Sequence, residues 1–229
     1  MVLEDFRSRV AQAPDAIAVE DGSRGLTYLD LARHASGLAA RLAKRGIGPD
    51  AVVAVYAGRS AERVVAELGV LLAGAAFLSL DPAGPAARTS ELLALSGAPV
   101  VVSTGPLAAG GAPLGDAPDI VDLTEVPPST VAWIVPDAAS LAYVSFAAQP
   151  SGRPRGIMVS HGGLAHLVRW YHRCCPPRPG DRTTLFDGPG YPWTVLDTWP
   201  TLAAGGTLVV PGEVPALPSA LVGCWSAGR

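Results

Sequence analysis

The chain has 229 residues, of which 49% are hydrophobic, and its 17 basic and 20 acidic side chains give a formal net charge of −3. This length is enough for one sizeable core but short for two domains of ordinary size. The low, mixed charge excludes a basic stripe for nucleic acid or a membrane surface. Gly, Pro or charged residues interrupt every apolar stretch before the ~20 residues that a membrane span needs.

The first twelve residues carry Glu4, Asp5, Arg7 and Arg9 among apolar side chains. A secretory signal has a continuous apolar segment instead. The sequence therefore predicts a cytoplasmic protein.

Cys174, Cys175 and Cys224 are the cysteines of the chain. Their odd number and the expected cytoplasmic location argue against a disulfide framework. His172 lies close to two of them, but adjacent thiols rarely bind one ion together, and no second cluster completes four ligands. No metal site is expected.

Strands and helices alternate along the first hundred residues. In the second helix, Ser60 is the expected N-cap, and Arg63 and Glu67 are expected on the outer face. A strand–helix repeat of roughly thirty residues predicts a parallel sheet covered by helices. The predicted elements are a strand at Ala16–Glu20, a helix at Thr27–Arg45, a strand at Val52–Tyr56, a helix at Ser60–Ala73, a strand at Ala76–Leu80, a helix at Ala86–Leu95 and a strand at Pro99–Ser103.

The second half continues the pattern after a Gly-, Ala- and Pro-rich segment, Gly105–Pro118, which is expected to be a surface loop. The predicted elements are a strand at Ile120–Leu123, a loop at Pro127–Asp137 with Trp133 and Ile134 packed, a strand at Leu141–Phe146, a loop at Ala147–Arg155, a strand at Gly156–Ser160, a helix at Gly163–Cys174, a strand at Thr183–Phe186, a helix at Val195–Ala204 and a strand at Thr207–Val210. We predict one domain at residues 1–211 and a Pro/Ser/Gly-rich tail or linker at residues 212–229.

Three separated segments carry motifs. Leu26–Leu31 reads LTYLDL, and Leu72–Pro82 reads LAGAAFLSLDP with Pro85 and Arg88 in step. The third, Leu141–Leu164, includes GRPRG and a following histidine. In this order and spacing the segments resemble the adenylate-forming superfamily, specifically the adenylation domains of nonribosomal peptide synthetases.

The resemblance extends from Phe6 to about Pro211. It implies an α/β fold with a partly parallel sheet flanked by helices, as in the front part of the large N-terminal lobe of adenylate-forming enzymes. Such enzymes use ATP-Mg to activate a carboxylic acid as an acyl-adenylate and then load a carrier-protein thiol. The family's adenine and ribose contacts and its C-terminal lysine lie beyond the matched segments. Lys44, the single lysine, is expected on a solvated helix face.

The family's phosphate loop reads roughly Thr-Ser-Gly-Ser-Thr-Gly-x-Pro-Lys-Gly, whose hydroxyls, backbone N–H groups and lysine hold phosphates in an anion nest. The degenerate positions of this loop are Ala147, Ala148, Gln149, Pro150, Ser151, Gly152, Arg155 and Gly156.

Several of these changes remove groups that would contact a phosphate. Ala147 and Ala148 lack hydroxyls, Gln149 restricts the turn, and Pro150 has no backbone donor. Arg155 keeps the positive charge but not the compact ammonium. We expect a plain connection between two strands; a residual anion contact through an arginine is the alternative.

The substrate pocket is degenerate at Pro192. Counting back from Gly205, Tyr191-Pro192-Trp193-Thr194 matches the family's Phe-Asp-x-Ser motif, whose aspartate pairs with the substrate's α-amino group. A proline cannot compensate an ammonium ion, although an aryl or hydroxy acid would not need the aspartate. Asp197 falls at the family's following glutamate. His161 matches a histidine near the acyl pocket, and a packed helix-start histidine is the other interpretation.

Three hypotheses follow. The first is a non-catalytic adenylation domain, without a cofactor, that serves as a structural or docking platform for condensation, carrier or tailoring domains of a peptide synthetase. The second is a fragment of an ATP-dependent ligase, and the third is a binding module with an open apolar groove. An exposed sheet edge is expected to be covered by the tail from Glu213 or to pair with another domain or copy.

Overall fold

The computed structural model describes residues 1–105, 119–130, 133–147 and 153–212. The helices are α1 (Val2–Gln12), α2 (Tyr28–Ala43), α3 (Ala61–Leu72), α4 (Ala86–Ser96), α5 (His161–Cys174) and α6 (Thr194–Ala204). The strands are β1 (Ile17–Asp21), β2 (Arg24–Thr27), β3 (Val52–Tyr56), β4 (Ala76–Leu80), β5 (Val100–Ser103), β6 (Asp119–Asp122), β7 (Leu141–Ala147), β8 (Arg155–Ser160), β9 (Arg182–Thr184) and β10 (Thr207–Val210).

The strands form two sheets. The larger has the order β6-β5-β3-β4-β7-β8, and its neighbours are parallel except for β8, which runs antiparallel to β7. The smaller has the order β2-β1-β10-β9, with β10 parallel to both neighbours and β2 antiparallel to β1. The predicted α/β class and the partly parallel pairing are confirmed, and the strands are divided between two sheets.

Local signals fix the ends of the helices. The Thr27 side chain accepts from the Asp30 amide in a capping box at the start of α2, and Ser60 accepts from the Arg63 amide at the start of α3. Gly97 and Gly205 end α4 and α6 in the left-handed region, at φ of 62° and 87°. The predicted cap at Ser60 is confirmed.

Helices α3 and α4 lie on opposite faces of the larger sheet. The principal core includes Val53, Val55 and Phe77 together with apolar residues of α2 and α3. A smaller core under α4 includes Leu78 and Leu80. Because successive side chains of a strand alternate between faces, β3 and β4 are buried on both sides, as in parallel sheets generally.

Helix α3 is buried at every position except Glu62. The prediction that Arg63 and Glu67 point outward is therefore wrong: they are 0% and 3% exposed. The structure covers the helix on all sides, so these two charged residues share the interior, with 3.9 Å between Arg63 Nε and Glu67 Oε1.

One of the α-helices and one of the strands were not predicted. Helix α1 buries Val2, Leu3 and Phe6, and β2 forms an antiparallel pair with β1. Trp133 is packed as predicted, since its Nε1 donates to Ser36 Oγ at 2.9 Å. The prediction that Ile134 is packed is wrong, because this side chain is 39% exposed.

The expected loop at Ala147–Arg155 is shorter than predicted, because both end residues pair across the β7–β8 hairpin. Most of the Gly105–Pro118 loop and the tail from Glu213 lie outside the described residues. The division at residue 211 stays a prediction. Strand β8 is an edge strand whose first four residues are exposed, so an exposed edge is present.

Candidate functional site

The order in which the chain adds strands to the larger sheet reverses between β4 and β7. The chain leaves β4 through α4 and passes to β5 beyond β3, whereas β7 lies on the other side of β4 and continues to β8. Because β4 and β7 are parallel, with Phe77 opposite Tyr143, their carboxyl ends meet at one edge. Such a topological switch point is where open α/β sheets bind ligands.

A crevice of about 180 Å³ opens at this edge. Its walls come from the end of β4 and the turn after it, from α4, from β7, and from the segment that leads into α6. We call this cavity the switch-point crevice. Its lining residues are Phe77, Leu78, Ser79, Leu80, Asp81, Gly84, Arg88, Thr89, Leu92, Tyr143, Val144, Ser145, Phe146, Pro189, Gly190, Tyr191, Pro192, Thr194 and Val195.

Gly190 allows the segment before α6 to approach β4 closely. Its φ is 81°, in the left-handed region that favours glycine. A Cβ at this position would lie 3.2 Å from the Ser79 carbonyl oxygen. The segment from Pro189 to Thr194 therefore closes one side of the crevice.

Aromatic side chains make much of the wall. Phe77 and Tyr143 stack with their ring centroids 5.6 Å apart, Phe146 is the penultimate residue of β7, and Tyr191 is 53% exposed. Burial raises the pKa of Tyr143, so its hydroxyl stays protonated at neutral pH. The crevice offers ring surface together with a phenol donor.

Three of the polar side chains of the wall, Ser79, Asp81 and Thr194, make defined hydrogen bonds within the protein. Ser79 Oγ donates to Glu67 Oε1 at 2.8 Å, and Thr194 Oγ1 donates to the Tyr191 carbonyl at 2.9 Å. Asp81 Oδ1 accepts from the Ala83 amide at 2.9 Å. The two hydroxyls have thus committed their protons to the protein, and oxygen lone pairs remain available.

Several charged side chains of α3 and α6 lie next to the crevice. Burial raises the pKa of Glu67, while Arg63 and the Ser79 hydrogen bond oppose that shift. Burial and the negative charge of Asp187 raise the pKa of Asp197 to about 6, and Arg63 acts in the opposite direction. Within the described residues, Arg63 Nε, Nη1 and Nη2 have no hydrogen-bond partner, which is unusual for a fully buried guanidinium.

Of the predicted site residues, Pro192 lines the exposed rim of the crevice. Ala147 ends β7 directly after Phe146 and pairs with Arg155, and Gly156 pairs with Phe146. The hairpin therefore brings the ends of the predicted phosphate loop to the crevice. Loop positions 148–152, from Ala148 to Gly152, lie outside the described residues.

His161 is not part of the crevice wall. It is 4% exposed at the start of α5, and its backbone amide donates to the Ser140 carbonyl at 2.9 Å. Burial lowers its pKa to about 4, and its Nε2 has no partner among the residues that the structure describes. The structure does not bring His161 together with Pro192.

Ser79, Asp81 and Tyr143, which line the crevice, were not predicted as candidate site residues. The available signal was positional, because Ser79 and Asp81 stand at the carboxyl end of a predicted strand and such ends form ligand sites in open α/β sheets. Which second strand would lie beside β4 could not be foreseen from spacing. Elsewhere in the described ranges, Cys174 and Cys175 are exposed free thiols, and no three potential metal ligands cluster together.

The parallel sheet, its flanking helices and its switch-point crevice define an α/β lobe of the class in which ligand sites lie at the carboxyl edge of the sheet. The chain belongs to the family of AMP-binding enzymes, whose sequence model matches residues 6–227. No helix in the described part of the chain has the length and apolar character to span a membrane.

Curated relatives are large peptide synthetases. Phosphinothricin tripeptide synthetase PhsB of Streptomyces viridochromogenes is 39% identical over 207 residues, which is 87% of this chain and 17% of PhsB. Cyclosporin synthetase simA of Tolypocladium inflatum is 35% identical over 218 residues, 91% of this chain and 1% of the synthetase. The chain thus spans a small fraction of the synthetases that it matches.

Solved structures match the same lobe. The nonribosomal peptide synthetase FmoA3 in its AMPPNP-bound form superposes with a TM-score of 0.83 at 31% identity, over 96% of this chain and 24% of FmoA3. The N-terminal subdomain of Klebsiella oxytoca NpsA superposes with a TM-score of 0.81 over 97% of this chain and 56% of that chain. At 20% identity, the NpsA match supports the fold alone. The chain corresponds to the N-terminal part of an adenylation domain.

Proposed function

We propose that this chain is a non-catalytic adenylation domain that acts, in the cytoplasm, as a structural or docking platform within a peptide synthetase. The observation that carries the proposal is the β7–β8 hairpin. It approaches the crevice through Phe146, and the residues that follow at Ala147, Ala148 and Pro150 lack the hydroxyls and the N–H that a phosphate would need.

The size of the expected loss supports a non-catalytic role. A hydrogen bond to a charged group contributes roughly 1.5–3 kcal/mol, so the loss of about three such bonds weakens binding by on the order of 5–8 kcal/mol. Each ~1.4 kcal/mol is a tenfold change in affinity. Binding of ATP would fall by several decades, and Pro192 in the crevice rim cannot pair with an amino group.

The retained motifs serve the fold, which supports a scaffold role. The hydroxyl of Tyr28, within the LTYLDL motif, donates to the carbonyls of Leu202 at 3.1 Å and Gly206 at 2.8 Å. These bonds tie α2 to the end of α6. Asp30 of the same motif completes the capping box of α2. A domain without catalysis would still need these contacts to present a surface.

The surface that such a platform presents is the edge strand β8. Ile157 and Met158 are 44% and 71% exposed there, and an open strand edge can pair with a neighbouring strand. Because the curated relatives are much longer than this chain, neighbouring condensation, carrier or tailoring domains are the proposed partners.

Isothermal titration of the purified chain with ATP-Mg tests the proposal. We expect no saturable heat at millimolar nucleotide. The matched control is a variant whose loop is restored by Ala147→Thr, Ala148→Ser, Gln149→Gly, Pro150→Ser and Ser151→Thr; a gain of binding in this variant alone would locate the defect in the loop. Micromolar binding by the unaltered chain would refute the proposal.

The second candidate is a fragment of an ATP-dependent ligase that activates a carboxylic acid and loads a carrier thiol. It is favoured by the superposition on the FmoA3 form bound to alpha-methyl-L-serine-AMP, with a TM-score of 0.86. Substrate-dependent exchange of pyrophosphate into ATP, measured in a polypeptide that supplies the remaining lobes, tests this candidate. The same loop restoration should leave the rate unchanged if the native loop is competent, whereas a large gain would reject the candidate.

A further inference from the structure

We infer that the guanidinium of Arg63 holds a small monovalent anion, of the size of chloride, in the interior of the protein. The inference goes beyond the proposed platform role and does not depend on it. It rests on the burial of this side chain, on its free hydrogen-bond donors and on the positive end of the helix that carries it.

The guanidinium of Arg63 requires a hydrogen-bond acceptor. The side chain is 0% exposed, and none of its three nitrogens has a hydrogen-bond partner among the residues that the structure describes. A buried cation that keeps neither water nor a partner is strongly destabilising. Because arginine stays protonated in proteins, loss of a proton cannot remove the charge, and a bound acceptor is the remaining way to satisfy it.

Glu67, the carboxyl group that lies beside Arg63, does not fill this role. Its Oε1 is 3.9 Å from Arg63 Nε, which is longer than a hydrogen bond, and the same oxygen accepts a hydrogen bond from Ser79 Oγ at 2.8 Å. Burial raises the pKa of Glu67 more than Arg63 and Ser79 lower it, which favours the neutral carboxyl group. Glu67 thus gives Arg63 no hydrogen bond and only part of a countercharge.

The start of α3 adds to the positive potential around Arg63. This residue is the third of a 12-residue helix, and the first turn of a helix carries a partial positive charge that disfavours a cation and favours an anion. The Ala61 amide donates to Asp21 Oδ2 at 2.9 Å, and the Arg63 amide donates to Ser60 Oγ at 3.2 Å. The acceptors at this helix start therefore bind the backbone, and the guanidinium is left to another acceptor.

The surroundings limit the size and the charge of the anion. Helix α3 is buried at every position except Glu62, and such an enclosed site suits a small ion rather than an organic acid. The carboxyl groups of Glu67 and Asp197 interact with Arg63, and their negative charge would repel a dianion such as phosphate or sulfate. A water molecule accepts hydrogen bonds but brings no charge, whereas a halide supplies both.

Thermal unfolding of the whole chain near neutral pH tests the inference, with chloride replacing gluconate at constant ionic strength. We expect the Tm to rise by about 5 °C and to level off as chloride increases, because an ion that binds only the folded state stabilises it by mass action. Constant ionic strength keeps the screening of surface charges unchanged. Gluconate is the reference anion because it is too large for an enclosed site.

Substitutions separate a bound anion from a general effect of salt. The double variant Arg63→Met with Glu67→Leu replaces a buried ion pair by apolar groups, so it should fold, and its Tm should not depend on chloride. Glu67→Gln keeps an acceptor for Ser79 without the negative charge, and it should lower the chloride concentration of half-maximal effect by about tenfold. Arg24→Met is the matched control: this arginine is 69% exposed beside Glu62, and its variant should respond to chloride as the parent does.

Crystals grown in sodium bromide locate the ion. We expect an anomalous peak at hydrogen-bond distance from the Arg63 guanidinium in the unaltered protein and no peak there in the double variant. Bromide found only at the surface would overturn the inference.

Four results of the unfolding series would also overturn it. These are a Tm that does not change with chloride, a chloride response that persists in the double variant, a half-maximal concentration that Glu67→Gln does not lower, and a response that Arg24→Met abolishes. Because the ATP-Mg titration is a separate measurement, the platform proposal can fail while the anion site stands, and the reverse also holds.

Discussion

Asp197 lies in the first turn of α6, where burial and the negative charge of Asp187 raise its pKa to about 6 from the ordinary aspartate value of 3.8. The folded protein therefore holds the proton more tightly than the unfolded chain does. Below the unfolded pKa both states are protonated, and Asp197 has no effect on stability. As the pH rises from about 4 to about 6, ionisation favours the unfolded chain, and the full cost is present above the folded pKa.

We expect Asp197→Asn to stabilise the protein above pH ~6 by about 1 kcal/mol, a value reduced from the full shift because the side chain is partly solvated. At low pH the variant and the parent should have the same stability. Urea unfolding across this pH range measures the difference. Asp15→Asn, at an exposed position, is the control and should show no such trend; a parallel trend in both variants would contradict the assignment.

The spacing of residues along the sequence predicts some positions of the site and not others. Pro192 was located by counting from Gly205, and it does line the crevice. Ser79 and Tyr143 were not foreseen, because they come from strands that are more than sixty residues apart in sequence and lie side by side only in the sheet. The direction of the Ser79 hydrogen bond depends in turn on Glu67 being buried.

At the scale of elements, α3 is the helix for which sequence reasoning failed. Charged side chains usually lie outside, and the pattern placed Arg63 and Glu67 there. The pattern of one helix does not reveal that α2 packs on one side of it and the sheet on the other. By contrast, β3, β4 and β10 were bounded correctly, because their apolar runs end at turn residues.

The buried pair of α3 gives the second prediction. Glu67→Leu should destabilise the protein by about 3–5 kcal/mol, because it leaves the Arg63 charge buried and unpaired. Adding Arg63→Met should recover most of that loss, since replacing both members of a buried pair by apolar groups is often neutral. Thermal or urea unfolding of the two variants checks this.

Glu62→Leu is the control for that pair of variants. Glu62, whose side chain is 30% exposed, is the partner of Arg24, which is 69% exposed, so we expect a change within about 1 kcal/mol. Equal losses in Glu67→Leu and in the double variant would show that the Arg63 charge is not the cause.

At the scale of the whole molecule, the open edge of the larger sheet is the surface through which we expect association. Ile157 and Met158 lie next to each other on β8, and their side chains point to opposite faces. We expect the chain to self-associate in a concentration-dependent way through this edge. Met158→Lys should shift the protein toward monomer, because charge on an edge strand opposes pairing.

Gel filtration at several concentrations measures this effect. Leu95→Lys is the matched control, since Leu95 is 55% exposed on α4 and is not part of the edge. It should leave the elution profile unchanged. A parent chain that elutes as a monomer at every concentration, or an equal response to both substitutions, would exclude the β8 edge as the contact.

The smaller sheet has a consequence for biosynthesis. Strand β10 is inserted between β1 and β9, so Val19 pairs with Leu208 across almost the whole sequence. A nascent chain cannot complete this sheet until residues near Val210 have emerged from the ribosome. Until then the backbone edge of β1 that pairs with β10 has no hydrogen-bonded neighbour, and the time taken by translation sets a lower limit on how early the domain can close.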